Sequence, residues 1–226
     1  MTKQEYCTIE RYMLDQMKDS AHDRHHVYRV LHAALDIASH IDEKDRDVLV
    51  AACLLHDIGR EEQFANQARC HAQIGSERAY SFLLAQGWTE QKACHVKACI
   101  STHRYRRNHT PQSIEAKILS DADNLDVSGA IGIARTLIYN GQVMEPLYIM
   151  DDNGIIVDGG GAEISSFFQE YNYKLKHIYH SFFTERAKEI ALERQKTAVD
   201  FYNGLYAEIT KNHENGAKRY MPWLSE

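Results

Sequence analysis

No apolar run in this 226-residue chain approaches the roughly 20 residues a bilayer-spanning helix needs, so no membrane span is expected. The opening stretch MTKQEYCTIERYM has no apolar core and no small-residue cleavage site, which argues against secretion. The five cysteines are odd in number and form no CxxC pair, so neither a disulfide framework nor a zinc knuckle is expected. They read as reduced thiols in a cytoplasmic protein. An excess of positive charge is also lacking. The net charge is −6, which speaks against a nucleic-acid surface, although a local basic cluster can still hold a phosphate. Proline occurs only at 111, 146 and 222, so little interrupts helix formation.

What is present is helical periodicity. Val27, Val30, Leu31, Ala34, Ile37, Ala38 and Ile41 recur at three- and four-residue steps, predicting an amphipathic helix near 23–41. The polar run DEKDRD separates it from an apolar helix over about 48–57. Further helices are predicted over about 72–86, ending in the glycine of QGW, over about 89–103, and after Pro111 with Ile114, Ile118, Ala122 and Leu125. The texture changes in PLYIMDDNGIIVDGGG, 146–161, where a turn at Asp152–Gly154 between β-prone pieces predicts a small hairpin or irregular excursion. Two more helices, rich in aromatics, Lys and Glu, are predicted over about 164–180 and 184–211. The expectation is one all-α domain over 1–226, a helical bundle with a hairpin insertion. Its aromatic C-terminal helices would serve as core or as a homodimer surface.

Within LLHDIGRE, 54–61, His56 and Asp57 follow directly on an apolar run. Burying a carboxylate beside an imidazole needs hydrogen bonds, an opposite charge or a metal in compensation. HDRHHVYRV offers His22, His25 and His26, and KILSDADNLD offers Asp121, Asp123 and Asp126. One residue from each set, with the doublet, would surround a cation with two imidazoles and two carboxylates. Such mixed nitrogen and oxygen ligation suits octahedral Mn²⁺, Fe²⁺, Co²⁺, Ni²⁺ or Mg²⁺ better than a structural zinc site. Helical spacing places Asp121 on the apolar face of Ile114 and Leu125, and so favours it as the carboxylate of its set.

Taken in order, HDRHHVYRV, AACLLHDIGR, CHAQIGSERAYSFLL, STHRYRR and AKILSDADNLDVSGAIGIART resemble the HD-domain metal-dependent phosphohydrolases, whose pattern is H…HD…D on a helical bundle. FFQEYNYKLK and TERAKEIALERQ resemble a soluble bacterial subgroup of that superfamily. The resemblance implies that the metal-site core spans about 20–140 and that His26, His56, Asp57 and Asp123 hold one divalent ion, with Mn²⁺ favoured. Asp123 is preferred to Asp121 on this ground, against the helical spacing. Asp121 and Asp126 would then orient a ligand histidine or a water.

Arg60 and Lys174 are candidates for phosphate contacts. His71 and His103 match positions that bind a second metal in some members and contact substrate in others. Asp57, with Glu61 or Glu62 as base, would carry the chemistry. The function so implied is hydrolysis of a phosphate ester or phosphoanhydride of a small molecule, foremost a nucleotide, by hydroxide held on the metal. The alternatives are a metal and nucleotide sensor without turnover, and a di-iron oxygenase of the same fold. The GYP triplet that marks cyclic-dinucleotide members is absent. The sequence names no substrate.

Overall fold

Three short polar side chains start three of the helices that build the site. Asp45 accepts from the amides of Asp47 and Val48, Ser113 from that of Ala116, and Thr89 from that of Lys92. Each satisfies an amide that a helix N-terminus otherwise leaves unpaired. The computed structural model describes residues 1–16, 24–66, 69–104, 110–159 and 165–224. The chain divides into two compact units, Met1–Asp126 with Phe182–Lys188, and Val127–Ser181 with Glu189–Glu226.

The first unit contains α1 (Lys3–Gln16), α2 (Arg24–Ser39), α3 (Arg46–Leu55), α4 (Arg60–Ala65), α5 (His71–Ala85), α6 (Glu90–Thr102) and α7 (Ile114–Leu125). Helix α3 is the hub. Val48, Leu49 and all of Ala51–Leu55 are buried, and the helix packs against α1, α2, α6 and α7. An all-round apolar helix sits inside a core rather than on it. The doublet that follows α3 therefore emerges in the interior, with His56 and Asp57 almost wholly buried.

Gly59 brings the next turn against α5. A Cβ built there would lie 2.4 Å from the His71 carbonyl oxygen and 2.7 Å from the Gly75 amide nitrogen, so only glycine fits. This backbone contact sets the start of α5, and with it His71, beside Asp57. Helix α5 ends as expected at Gly87, whose φ of +84° closes the turn, and the Trp88 amide donates to the Leu83 carbonyl.

The second unit contains α8 (Gly129–Gln142), α9 (Phe167–Tyr173), a 3-10 turn over Leu175–His180 and most of α10 (Glu185–Tyr220), which begins in the first unit. Phe167, Phe168, Tyr171, Phe201, Tyr202 and Tyr206 form an aromatic cluster, with Tyr171 and Tyr202 stacked at 4.4 Å. The Tyr202 hydroxyl donates to Asp158. Over 146–159 the chain makes a single antiparallel bridge, Met150 with Ile156, around a turn in which Asp151 accepts from the amides of Asn153 and Ile155. The remainder of the expected excursion, 160–161, lies outside the described residues.

Three helices depart from the expected pattern: α1, α4 and α8 are additional. The helix expected over 164–180 breaks at Lys174, whose φ and ψ of −125° and −60° lead into the 3-10 turn. Helix α10 runs on to Tyr220, well past 211. No described helix is long and apolar enough to cross a membrane.

Candidate metal centre

Helix ends deliver the site. His56 caps the C-terminus of α3 and His103 that of α6, and each lends its Nδ1 proton to a carbonyl three residues back, Cys53 at 2.8 Å and Ile100 at 2.6 Å. A carbonyl only accepts, so each Nδ1 carries a proton, and Nε2 is the nitrogen turned inward. In the first turn of α2, His26 donates from Nδ1 to Asp126 Oδ2 at 2.7 Å, and His71 at the start of α5 donates from Nδ1 to Gln63. All four imidazoles therefore present Nε2 with Nδ1 anchored, the arrangement in which histidines bind metal.

The Nε2 atoms converge on Asp57. Those of His26 and His56 lie 3.2 Å apart and face Asp57 Oδ2 at 3.4 and 3.6 Å, with Asp123 Oδ1 at 3.4 and 4.0 Å. Those of His71 and His103 lie 3.3 Å apart and face the other carboxylate oxygen, Oδ1, at 3.3 and 3.8 Å. Asp57 thus stands between two clusters, His26–His56–Asp123 and His71–His103. Its oxygens differ. Oδ1 accepts from Arg60 Nε at 2.9 Å, whereas Oδ2 is buried without a hydrogen-bond donor. A buried carboxylate oxygen lacking a donor is a costly arrangement unless a cation completes it. The residues present therefore fit a divalent ion.

Electrostatics match this reading. Burial pushes the Asp57 carboxyl up, but Arg60, His56 and His26 outweigh it and hold the group well below the usual carboxylate range. Burial lowers His71 to about 2, against the pull of Asp57 and helped by the Arg60 charge, and lowers His103 to about 4. Both rings are neutral near pH 7. For His26 burial also works downward, yet the hydrogen bond to Asp126 and the nearby Asp57 and Asp123 carboxylate charges raise it to about 9. In the metal-free chain a proton on His26 meets the negative charge.

Because the folded value lies above the unfolded 6.5, the stability His26 contributes to the metal-free chain is full below about 6.5 and is lost as pH rises through about 9. An ion held by His26 would have to displace that proton. Metal affinity should therefore rise by up to about tenfold per pH unit below about 9 and then level off. Calorimetric Mn²⁺ titrations at several pH values in buffers of differing protonation heat check this, since one proton should leave per ion.

The structure brings His26, His56, Asp57 and Asp123 together, with His71, His103, Arg60 and Asp126 around them. Asp121, favoured by helical spacing and then expected to orient a ligand or a water, turns elsewhere. Its carboxylate accepts from the Phe183 and Thr184 amides and the Thr184 hydroxyl at 2.9, 2.8 and 2.6 Å. It is buried because it anchors the segment leading into α10. Asp123, on the same helix, keeps 17% side-chain exposure and points to the histidines.

Glu61 is exposed in the first turn of α4, and Glu62 pairs with Arg78. Lys174 belongs to the second unit, where it pairs with Glu170 at 3.0 Å. His25 is exposed, and His22 lies outside the described residues. Sequence reasoning missed Gln63 and Arg29. The latter clamps Asp126, its Nε 2.6 Å from Oδ1 and its Nη2 3.0 Å from Oδ2. Its position three residues after His26 puts both on one helix face, and that spacing was the available signal.

Residues 24–128 match the HD domain family, and HD-superfamily hydrolases are among the solved structures this chain is similar to. Along the sequence it is 29% identical over 199 residues to YpgQ of Bacillus subtilis, an uncharacterized protein, covering 85% of this chain and 86% of YpgQ. YpgQ has been solved in complex with ADP, and that structure is similar to this one with a TM-score of 0.69 at 25% identity, covering 90% and 97% of the two chains. A Lactobacillus plantarum protein gives a TM-score of 0.72 at 26% identity over 93% of this chain and 99% of its own. An HD-superfamily hydrolase of Bacillus thuringiensis gives 0.70 at 26% over 92% and 98%.

Proposed function

We propose that this chain is a divalent-metal-dependent phosphohydrolase that cleaves a phosphate ester or phosphoanhydride bond of a nucleotide. The observation that carries the proposal is the Asp57 Oδ2 atom, buried without a donor and faced by two inward imidazole nitrogens. His26, His56, Asp57 and Asp123 would hold one ion, and two nitrogens with two carboxylates suit Mn²⁺. When bound, such an ion lowers the pKa of a water toward neutrality and neutralises a phosphoryl oxygen.

The chain's own groups supply the rest. Arg29 and Asp126 hold His26 in the tautomer that ligates. The neutral His71 and His103 rings offer Nε2 lone pairs that accept from a water and aim its oxygen. Arg104, whose Nη1 lies 3.4 Å from His71 Nδ1, brings positive charge for phosphate oxygens to this side of the site. Arg60 spends one N–H on Asp57 and has four more to offer a phosphate. Glu62 is engaged by Arg78, which leaves Glu61 as the carboxylate of that turn for uptake of a proton. The ADP complex of YpgQ, a relative over most of both chains, supports a nucleotide as the ligand. Five cysteines without a disulfide fit a cytoplasmic setting.

The test is to strip the purified protein of metal and follow phosphate and pyrophosphate release from nucleoside mono-, di- and triphosphates with and without Mn²⁺. Release that requires the ion is expected for at least one class. Saturable nucleotide binding with no release of either product would contradict the proposal and favour a sensor.

A further inference from the structure

The two oxygens of Asp57 differ in what they face, and the difference bears on how many ions the site can take. Oδ2 is buried without a donor and looks toward His26, His56 and a second carboxylate, Asp123. Oδ1 looks toward His71 and His103 but already accepts from the Arg60 guanidinium at 2.9 Å. The Oδ2 side thus offers an ion two carboxylates and two imidazoles. The Oδ1 side offers two imidazoles and an oxygen whose charge is already met, with the Arg104 guanidinium 3.4 Å from the far nitrogen of His71. A dication on that side would sit beside the fixed positive charge of Arg60 with half a carboxylate in return.

We propose that Arg60 takes the place of a second ion at Asp57, so that the chain binds one divalent cation although it carries histidines enough for two. The proposal rests on the reading of His26, His56, Asp57 and Asp123 as metal ligands. In this role, separate from any phosphate contact by its other N–H groups, Arg60 acts through Asp57 and positions it. Its N–H fixes the carboxylate plane with Oδ2 turned to the ion, and its charge closes the His71–His103 side to metal. The planar guanidinium, always charged, suits this task, and a lysine keeps the charge while losing the fork.

Mn²⁺ uptake by the full chain, measured by calorimetry and by electron paramagnetic resonance, decides the matter. Wild type and Arg60→Lys should saturate at one ion per chain with the spectrum of an isolated Mn²⁺. Arg60→Met and Arg60→Gln should saturate at two, the stoichiometry doubling, with the broadened spectrum of a close Mn²⁺ pair. Adding His71→Ala to Arg60→Met should return the count to one. Two ions in wild type, or one in both neutral variants with helical content intact, would overturn the role of Arg60. No uptake by any of these proteins would overturn the metal-site reading itself, a separate failure.

Discussion

Asp57→Ala should abolish Mn²⁺ uptake and reduce nucleotide hydrolysis by at least roughly 10³-fold, since several kcal/mol of transition-state charge stabilisation leave with the ion. The size of the effect follows from position. Asp57 faces both histidine pairs, so its loss removes a proposed ion ligand, the acceptor for Arg60 and the charge that His26 answers. His26 should then lose much of the support that raises its pKa to about 9, and its titration should move down. Calorimetry, product release and an NMR titration of His26 check the three parts. Mn²⁺ should raise the melting temperature of wild type and leave the variant's unchanged, because only a bound ligand stabilises. Helical circular dichroism shows whether the fold survives. Metal-stimulated turnover in a folded Asp57→Ala protein would sink the mechanism.

Gly59→Ala is expected to damage the site without touching any ligand. The added methyl would meet the backbone of His71 and Gly75, and no side chain can swing aside to relieve the contact. Either the turn after the doublet or the start of α5 must shift. Overpacking of this kind costs about 3 kcal/mol, which for a chain of this size lowers the melting temperature by roughly 6–12 °C. The same shift moves Asp57 relative to His71, so metal affinity should fall as well. Thermal unfolding with and without Mn²⁺ measures both. A variant with wild-type stability would show that this backbone contact is looser than the structure has it.

How much of this was legible in the residues depends on the range of each interaction. The apolar period of α2 and the unbroken apolar run of α3 are local, and they suffice to put His26 and His56–Asp57 on buried helical frames. The choice between Asp121 and Asp123 was not local. Helical spacing rightly marked Asp121 as buried, but what buries it is the amide-rich segment at 183–184, more than sixty residues away, and periodicity carries no trace of that partner. The resemblance to the superfamily, not the helical period, pointed to Asp123.

Helix α8 escaped notice because GAIGIARTLIYNGQ carries three glycines, which lower helix propensity. Gly129 has its own reason, with φ at +60° and the Arg194 side chain against it. Gln63 sits eight residues before His71, in a helix of six residues too short to show a period. Lys174 was placed by resemblance alone, and it sits in the second unit on Glu170.

The central claim is that one divalent ion sits between His26, His56, Asp57 and Asp123. Anomalous diffraction from crystals of the Mn²⁺-loaded protein tests it most directly. The expected result is a single manganese peak within bonding distance of His26 Nε2, His56 Nε2, Asp57 Oδ2 and Asp123. No peak there, or manganese bound only at other residues, would contradict the account.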